Sequence, residues 1–97
     1  MPNDIRLQEL QVGVIINTSS GSYDSEFEQK MLSILTGAGV EPKVWCGEAK
    51  EMNRFFEEAA GQKLEVLIVL GGDGTIRTAA EACAEKGSYL IPLPGGR

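Results

Sequence analysis

Apolar positions along the chain follow two alternating patterns. Val12-Gly13-Val14-Ile15-Ile16 and Val66-Leu67-Ile68-Val69-Leu70 are short, nearly continuous apolar runs rich in β-branched residues. Runs of this length, bounded by polar residues or glycine, read as buried strands. Their lack of polar alternation suits parallel strands covered on both faces. Pro42-Lys43-Val44-Trp45-Cys46 mixes polar with apolar positions and predicts a strand nearer a sheet edge. Tyr89-Leu90-Ile91 predicts a short fourth strand, and Pro92-Leu93-Pro94-Gly95-Gly96 a loop after it. Between these runs the period becomes helical. Phe27, Met31, Ile34, Leu35 and Ala38 share one helical face, with Ser25 as cap and Glu28 reaching back in a capping box, and with Gly37 and Gly39 at the end. Met52, Phe55, Phe56 and Ala59 mark a second helix from about Ala49 to Ala60; a stripe of this kind is a core face. Ile76, Ala79, Ala80 and Cys83 mark a third, stopped by Gly87.

Strands alternating with helices predict an α/β domain with a parallel sheet of about four strands, joined by right-handed crossovers and layered between helices as α/β/α. In such sheets ligands sit beyond the carboxyl ends of the strands, where strand order reverses. Parallel topology places three glycine-bearing loops at that one edge: Asn17 to Gly21, Gly71 to Thr75, and Pro92 to Gly96.

The middle loop carries the most chemistry. A buried strand stops at Gly71-Gly72, an acid follows at Asp73, then Gly74-Thr75 and a helical pattern. Glycines there let a ligand approach the backbone. Free N–H groups and the helix dipole favour anions, phosphate above all. A carboxylate beside phosphates is repulsive unless a cation such as Mg²⁺, or a proton-transfer role, compensates for it. The turn is not a Walker loop, because no Lys-Ser or Lys-Thr pair follows, nor a dinucleotide fingerprint, because the third glycine position counted from Gly72 falls on Arg77. The plainer alternative is a strand-to-helix turn capped by Asp73 or Thr75.

Composition narrows the partners. The 97 residues make one small domain with 14 acidic and 9 basic residues, a net charge of −5. An acidic domain is a poor candidate for nucleic acid or an anionic membrane surface. With no histidine, Ser-His and Cys-His nucleophilic pairs and His-ligated metals are excluded. Cys46 and Cys83 lack metal or redox spacing and read as buried free thiols, which suggests a reducing cytoplasm. No apolar run predicts a signal peptide or a transmembrane segment.

These motifs together resemble a known group. Gly71-Gly72-Asp73-Gly74-Thr75 is similar to the glycine-aspartate motif shared by diacylglycerol kinases, sphingosine kinases, NAD kinases and 6-phosphofructokinases. Asn17-Thr18-Ser19-Ser20-Gly21 resembles the Asn-Pro-x-Ser-Gly loop of the lipid kinase branch, with Thr18 where proline is usual. Ile91-Pro92-Leu93-Pro94-Gly95-Gly96 resembles that branch's Pro-Leu-Gly-Thr loop in a bacterial, two-glycine variant. The resemblance spans roughly residues 11 to 96. It implies the fold of the N-terminal, nucleotide-binding half of a diacylglycerol kinase-like catalytic domain, which is also the NAD kinase-like N-terminal fold, as a piece of a longer chain. It implies ATP and Mg²⁺ as cofactors. Asn17, Ser20, Gly21, Gly71, Gly72, Gly74, Thr75, Gly95 and Gly96 would bind nucleotide. Asp73 would be the catalytic carboxylate, near Mg²⁺ in an indirect contact. A second, β-rich domain would complete the lipid site and supply the general base. The expected location is the cytoplasm, with peripheral membrane attachment open for the parent protein, as is a homodimer.

Two departures bear on function. The family continues its last loop into Thr-x-Asn, where this chain has Arg97. It also follows the glycine turn with Asn-Glu-Val, where this chain has Arg77-Thr78-Ala79, so the family glutamate is missing. Arg77 either pairs with phosphate or simply faces solvent. The leading expectation is therefore the ATP-binding part of a lipid kinase acting on a diacylglycerol-like hydroxyl, inactive by itself. The alternatives are a nucleotide-binding module without catalysis and a soluble NAD kinase-like or phosphofructokinase-like domain.

Overall fold

The computed structural model of the chain describes residues 9–21 and 23–94. In chain order the elements are β1 (Val12–Asn17), α1 (Ser25–Gly37), β2 (Lys43–Gly47), a 3-10 turn (Ala49–Glu51), α2 (Met52–Ala60), β3 (Val66–Gly71), α3 (Asp73–Lys86) and β4 (Tyr89–Pro94). The strands form one sheet in the order β2-β1-β3-β4. All three pairings are parallel. The α/β class and parallel sheet expected from the periodicity are both present.

Strand parity sorts the core. Parallel register sets Ile15 beside Trp45 on one side and Val69 on the other, and Val14 beside Val44 and Ile68. Side chains alternate between faces along a strand. Val12, Val14, Ile16, Ile68 and Leu70 therefore share one face, where Met31, Leu32 and Leu35 of α1 pack. Ile15, Leu67 and Val69 share the other, against Met52, Phe55, Phe56 and Ala59 of α2 and Ala79 and Cys83 of α3. Val14, Ile15, Ile16, Val69 and Leu70 are the largest fully buried side chains. Burying each such side chain contributes about 1.5–3 kcal/mol.

Several sequence expectations need correction. The α1 cap is Asp24, whose carboxylate accepts from the Glu26 amide at 2.9 Å, and not Ser25. The expected reach of Glu28 back to the cap gives way to a hydrogen bond from the Tyr23 hydroxyl to Glu28. Tyr23 packs on the α1-side core, and this places its hydroxyl beside that carboxylate. The inward face of α1 is centred on Met31, Leu32 and Leu35, while Phe27 and Ile34 are 44% and 71% exposed. At roughly 100° per residue, Phe27 and Ile34 lie at the flank of that face. Among the described residues α1 is the one helix over its side of the sheet, so nothing covers the flank.

β2 is an edge strand, as its mixed pattern predicts. Cys46 stands in register with Ile16 on the thinly covered α1 side of this edge and is exposed, whereas Cys83 is buried under α3. The two thiols lie on opposite faces of the sheet. Burial raises the pKa of both, and the Glu28 and Glu51 carboxylates raise that of Cys46 further. β4 runs on to Pro94, past the expected end at Ile91. The Tyr89 amide donates inward to Glu65, so alternate residues Pro92 and Pro94 turn their missing N–H groups to the open edge, where proline is tolerated. Gly87 ends α3 with φ at 76° and its amide donating to the Cys83 carbonyl, as expected of a glycine stop.

The Tyr23–Glu28 contact gives a pH prediction. The hydrogen bond to Glu28, and then burial, push the Tyr23 phenol from 10.0 up to about 12. A raised pKa in the folded state means the neutral phenol is the stabilising form. Its contribution is complete below the unfolded value near 10 and is lost as pH rises to about 12. In denaturant titrations, the stability gap between wild type and Tyr23→Phe should stay constant below pH 10 and close toward pH 12. A gap unchanged across that window would show that the Tyr23 hydroxyl is not engaged.

Candidate functional site

β1 and β3 are neighbours, but the chain leaves β1 toward β2 on one side and β3 toward β4 on the other. Strand order therefore reverses between their carboxyl ends, the usual place for a ligand in an open α/β sheet. The loop after β1 and the glycine turn after β3 meet there.

Asn17 is the last residue of β1 and is only 8% exposed. It shares the parity of Ile15, so it lies on the α3 side. Its Nδ2 donates to Thr75 Oγ1 at 3.1 Å, and its Oδ1 accepts from the Ser19 amide at 2.9 Å. The rest of the loop is tied just as firmly. The Thr18 amide donates to the Gly47 carbonyl at the end of β2 at 2.8 Å. The Ala49 amide donates to Ser19 Oγ at 3.0 Å. Ser20 accepts from the Tyr23 amide through its carbonyl, and Gly21 is exposed. The loop thus fastens the ends of β1 and β2 to the glycine turn. The Thr18 bond also gives a physical reason against proline at this position, where proline is usual in the pattern that the loop resembles. Proline has no N–H and could not make it.

The glycines of the turn differ in their roles. Gly71 is buried, and a Cβ on it would lie 3.0 Å from Thr75 Cβ and 3.4 Å from Asn17 Cβ. Glycine there lets the start of α3 close onto the strand end. A Cβ on Gly72 or Gly74 would meet nothing within 4 Å. Gly72 has φ −84° and ψ −175°, extended backbone that any residue adopts. Packing and backbone therefore leave both positions free to carry a side chain, and a close-approaching ligand is the remaining physical reason for glycine.

Gly72 is itself the N-cap of α3, and no side chain caps that end. This removes the alternative in which Asp73 or Thr75 caps the helix. Asp73 opens the helix as an exposed residue, and Thr75 is engaged with Asn17. The first-turn N–H groups of a 14-residue helix are left with their partial positive charge toward the switch point. Among the described residues no group of three or more His, Cys, Asp or Glu could hold a metal ion. Any cation here would lean mostly on its ligand's oxygens, with Asp73 the carboxylate within the turn. Arg77 is exposed one turn along α3 from Asp73, and among the described residues the two form no ion pair.

The third loop begins later than its sequence suggests. Pro92 and Pro94 belong to β4, and Pro94 pairs beside Gly71. Gly95 and Gly96 lie outside the described residues. A hollow of about 490 Å³ lies at the opposite end of the sheet, among Phe56, Leu64, Leu67 and Cys83. It is a gap between two helices and the strand starts, remote from the glycine turn. Two contributors carried no sequence signal: Ser19 as acceptor for Ala49, and the Thr18 backbone tie to Gly47. Both join segments that only the β1–β2 pairing brings together.

Fold and loop placement define a parallel α/β domain with an open, glycine-lined helix N-terminus at its topological switch point. The chain belongs to the diacylglycerol kinase catalytic domain family, which it matches over residues 11–97. It is thus a catalytic domain of a kinase family. No curated protein matches it significantly.

The Thr18 tie is testable. Thr18→Pro removes a donor and leaves the Gly47 carbonyl without this partner, at about 1 kcal/mol. The melting temperature should fall by about 4–8 °C for a domain of this size. An unchanged or higher melting temperature would mean the bond adds nothing.

Proposed function

We propose that the chain is the nucleotide-binding part of a lipid kinase that transfers the γ-phosphoryl group of ATP to a diacylglycerol-like hydroxyl. The observation that carries this reading is the pair Gly72 and Gly74, glycines without an intramolecular reason at an uncapped helix N-terminus. Membership of the diacylglycerol kinase catalytic domain family supports the choice of phosphoryl chemistry. Gly71, Gly72, Gly74 and Thr75 would line the phosphates, and Asn17, Ser20 and Gly21 the neighbouring wall, while Gly95 and Gly96 join this set through the sequence motif alone. Phosphoryl transfer asks little covalent chemistry of the protein and much positioning and charge neutralisation. Backbone N–H groups of the turn supply fixed positive ends toward the phosphates. Mg²⁺, when bound with nucleotide, neutralises phosphate charge, and a turn with one carboxylate fits an ion carried mainly by the nucleotide. Asp73 would hold that ion indirectly. The lipid acceptor site and general base belong to a second domain, so the chain alone folds and transfers no phosphoryl group. No described helix is long and apolar enough to cross a membrane.

A second reading, nucleotide binding without chemistry, is favoured by Arg77-Thr78-Ala79 in place of the family's Asn-Glu-Val. Arg77 and Thr78 are both exposed, and the Thr78 hydroxyl donates back to the Gly74 carbonyl.

Calorimetric titration with MgATP tests the phosphate cradle. A millimolar complex corresponds to roughly 4 kcal/mol, so losing two or three N–H contacts abolishes it. Gly72→Val should eliminate binding and leave melting within a few degrees of wild type, because its Cβ meets open space. Equal ATP affinity in the two proteins would place the cradle elsewhere.

Asp73→Asn separates the two readings. Since no cap bond is lost, melting of this chain should hardly change. In the full-length parent, turnover on diacylglycerol should fall by orders of magnitude. A large melting loss with ordinary turnover would make Asp73 structural, and a parent without turnover in either form would favour binding alone.

A further inference from the structure

We propose that Asn17 is a positioning residue that fixes the direction of the Thr75 hydroxyl, so that Thr75 donates its proton to a phosphate oxygen of the bound nucleotide. This deepens the nucleotide reading above and rests on it.

The argument starts from the Ser19 backbone amide, which can only donate. The Asn17 side-chain atom 2.9 Å from it must therefore be the acceptor Oδ1. That settles the orientation of the carboxamide, whose two ends are otherwise interchangeable. Nδ2, a donor without acceptor capacity, then faces Thr75 Oγ1 at 3.1 Å. The Thr75 oxygen accepts, and its own proton must point away from Asn17. The two other helical threonines, Thr36 and Thr78, donate to the carbonyl four residues back. Among the described residues nothing accepts from Thr75. Its free proton sits on the third residue of α3, within the uncapped first turn whose N–H groups serve the same anion. The contact is in place before any ligand arrives: Asn17 is buried at a strand end, and Thr75 packs so close to Gly71 that a Cβ there would lie 3.0 Å from Thr75 Cβ. A donor held in place needs no ordering on binding, which favours affinity.

Asn17→Asp tests the direction of the proton without removing the contact. A carboxylate still accepts from the Ser19 amide, but its second oxygen can only accept. The Thr75 proton would be drawn inward and a lone pair turned toward phosphate. The variant should melt within a few degrees of wild type, and MgATP affinity, read from amide shifts in NMR titrations, should fall about tenfold or more, as for one hydrogen bond to a charged group. Thr75→Val should lose a similar factor, and Thr75→Ser should retain wild-type affinity. The double variant Asn17→Asp with Thr75→Val decides between proton direction and simple charge repulsion. If Asn17 acts through the hydroxyl, Asn17→Asp adds little once Thr75→Val is present. Losses that multiply in the double variant, wild-type affinity in Asn17→Asp, or failure of Asn17→Asp to fold would each overturn the inference and leave the nucleotide reading standing. A ligand-free measurement is independent of ATP. The Asn17 side-chain amide protons should exchange slowly with solvent in wild type and quickly in Thr75→Val. Fast exchange in both would remove the Asn17–Thr75 contact itself. No saturable MgATP shift in wild type would overturn the nucleotide reading, and the inference with it.

Discussion

The register between β1 and β3 governs everything at the loop end of the sheet. These two strands pair in parallel, with Ile15 beside Val69 and Ile16 beside Leu70. One position further on, Asn17 and Gly71 end their strands together and on the same face. That shared parity puts a side-chain amide next to a position that has no side chain. Thr75 can then come down onto both. A slip of one residue would turn Asn17 to the opposite face of the sheet, toward α1, and Thr75 would lose its partner. The strands are held in register by burial, since Val14, Ile15, Ile16, Val69 and Leu70 are all within 1% of complete exclusion from solvent.

From this pairing the site follows as a consequence of topology. The chain departs in opposite directions from β1 and β3, so the space above their ends is left open between diverging connections. The α3 helix begins in that space with no capping side chain. Its orphan N–H groups can be satisfied by water or by an anion. The surrounding loop is not loose. Bonds from Thr18 to Gly47, from Ala49 to Ser19 and from Asn17 to Thr75 draw β2, the α2 entry and α3 around one point. A net charge of −5 on the chain gives no general attraction for phosphate. In the nucleotide reading proposed above, attraction would come from oriented backbone dipoles over short distances, which act where the local dielectric is low.

Much of the fold was legible in the sequence. The strand runs of β1 and β3 and the helical stripe of α2 sit where apolar periodicity placed them. The edge location of β2 was visible in its mixed composition. Corrections fall where a neighbour intervened. Tyr23 captured Glu28 and left the α1 cap to Asp24. The edge position of β4 let two prolines remain in a strand that local preference would have ended. Cys46, expected to be a buried thiol, is exposed on the edge strand β2, which has a neighbouring strand on one side only.

The sequence by itself determined the kind of protein this is. Alternating strand and helix periods specify a parallel α/β sheet, and Gly71-Gly72-Asp73-Gly74-Thr75 marks one turn as chemically special. Both signals are local, carried by neighbours within a few residues. The tertiary structure alone decided what each residue of that turn does. Gly71 is required for packing, whereas Gly72 and Gly74 are free of it, and this distinction depends on where Thr75 and Asn17 sit in space. The role of Asn17 depends on a partner 58 residues away in the chain. No pattern along the sequence encodes that distance, because strand pairing closes it.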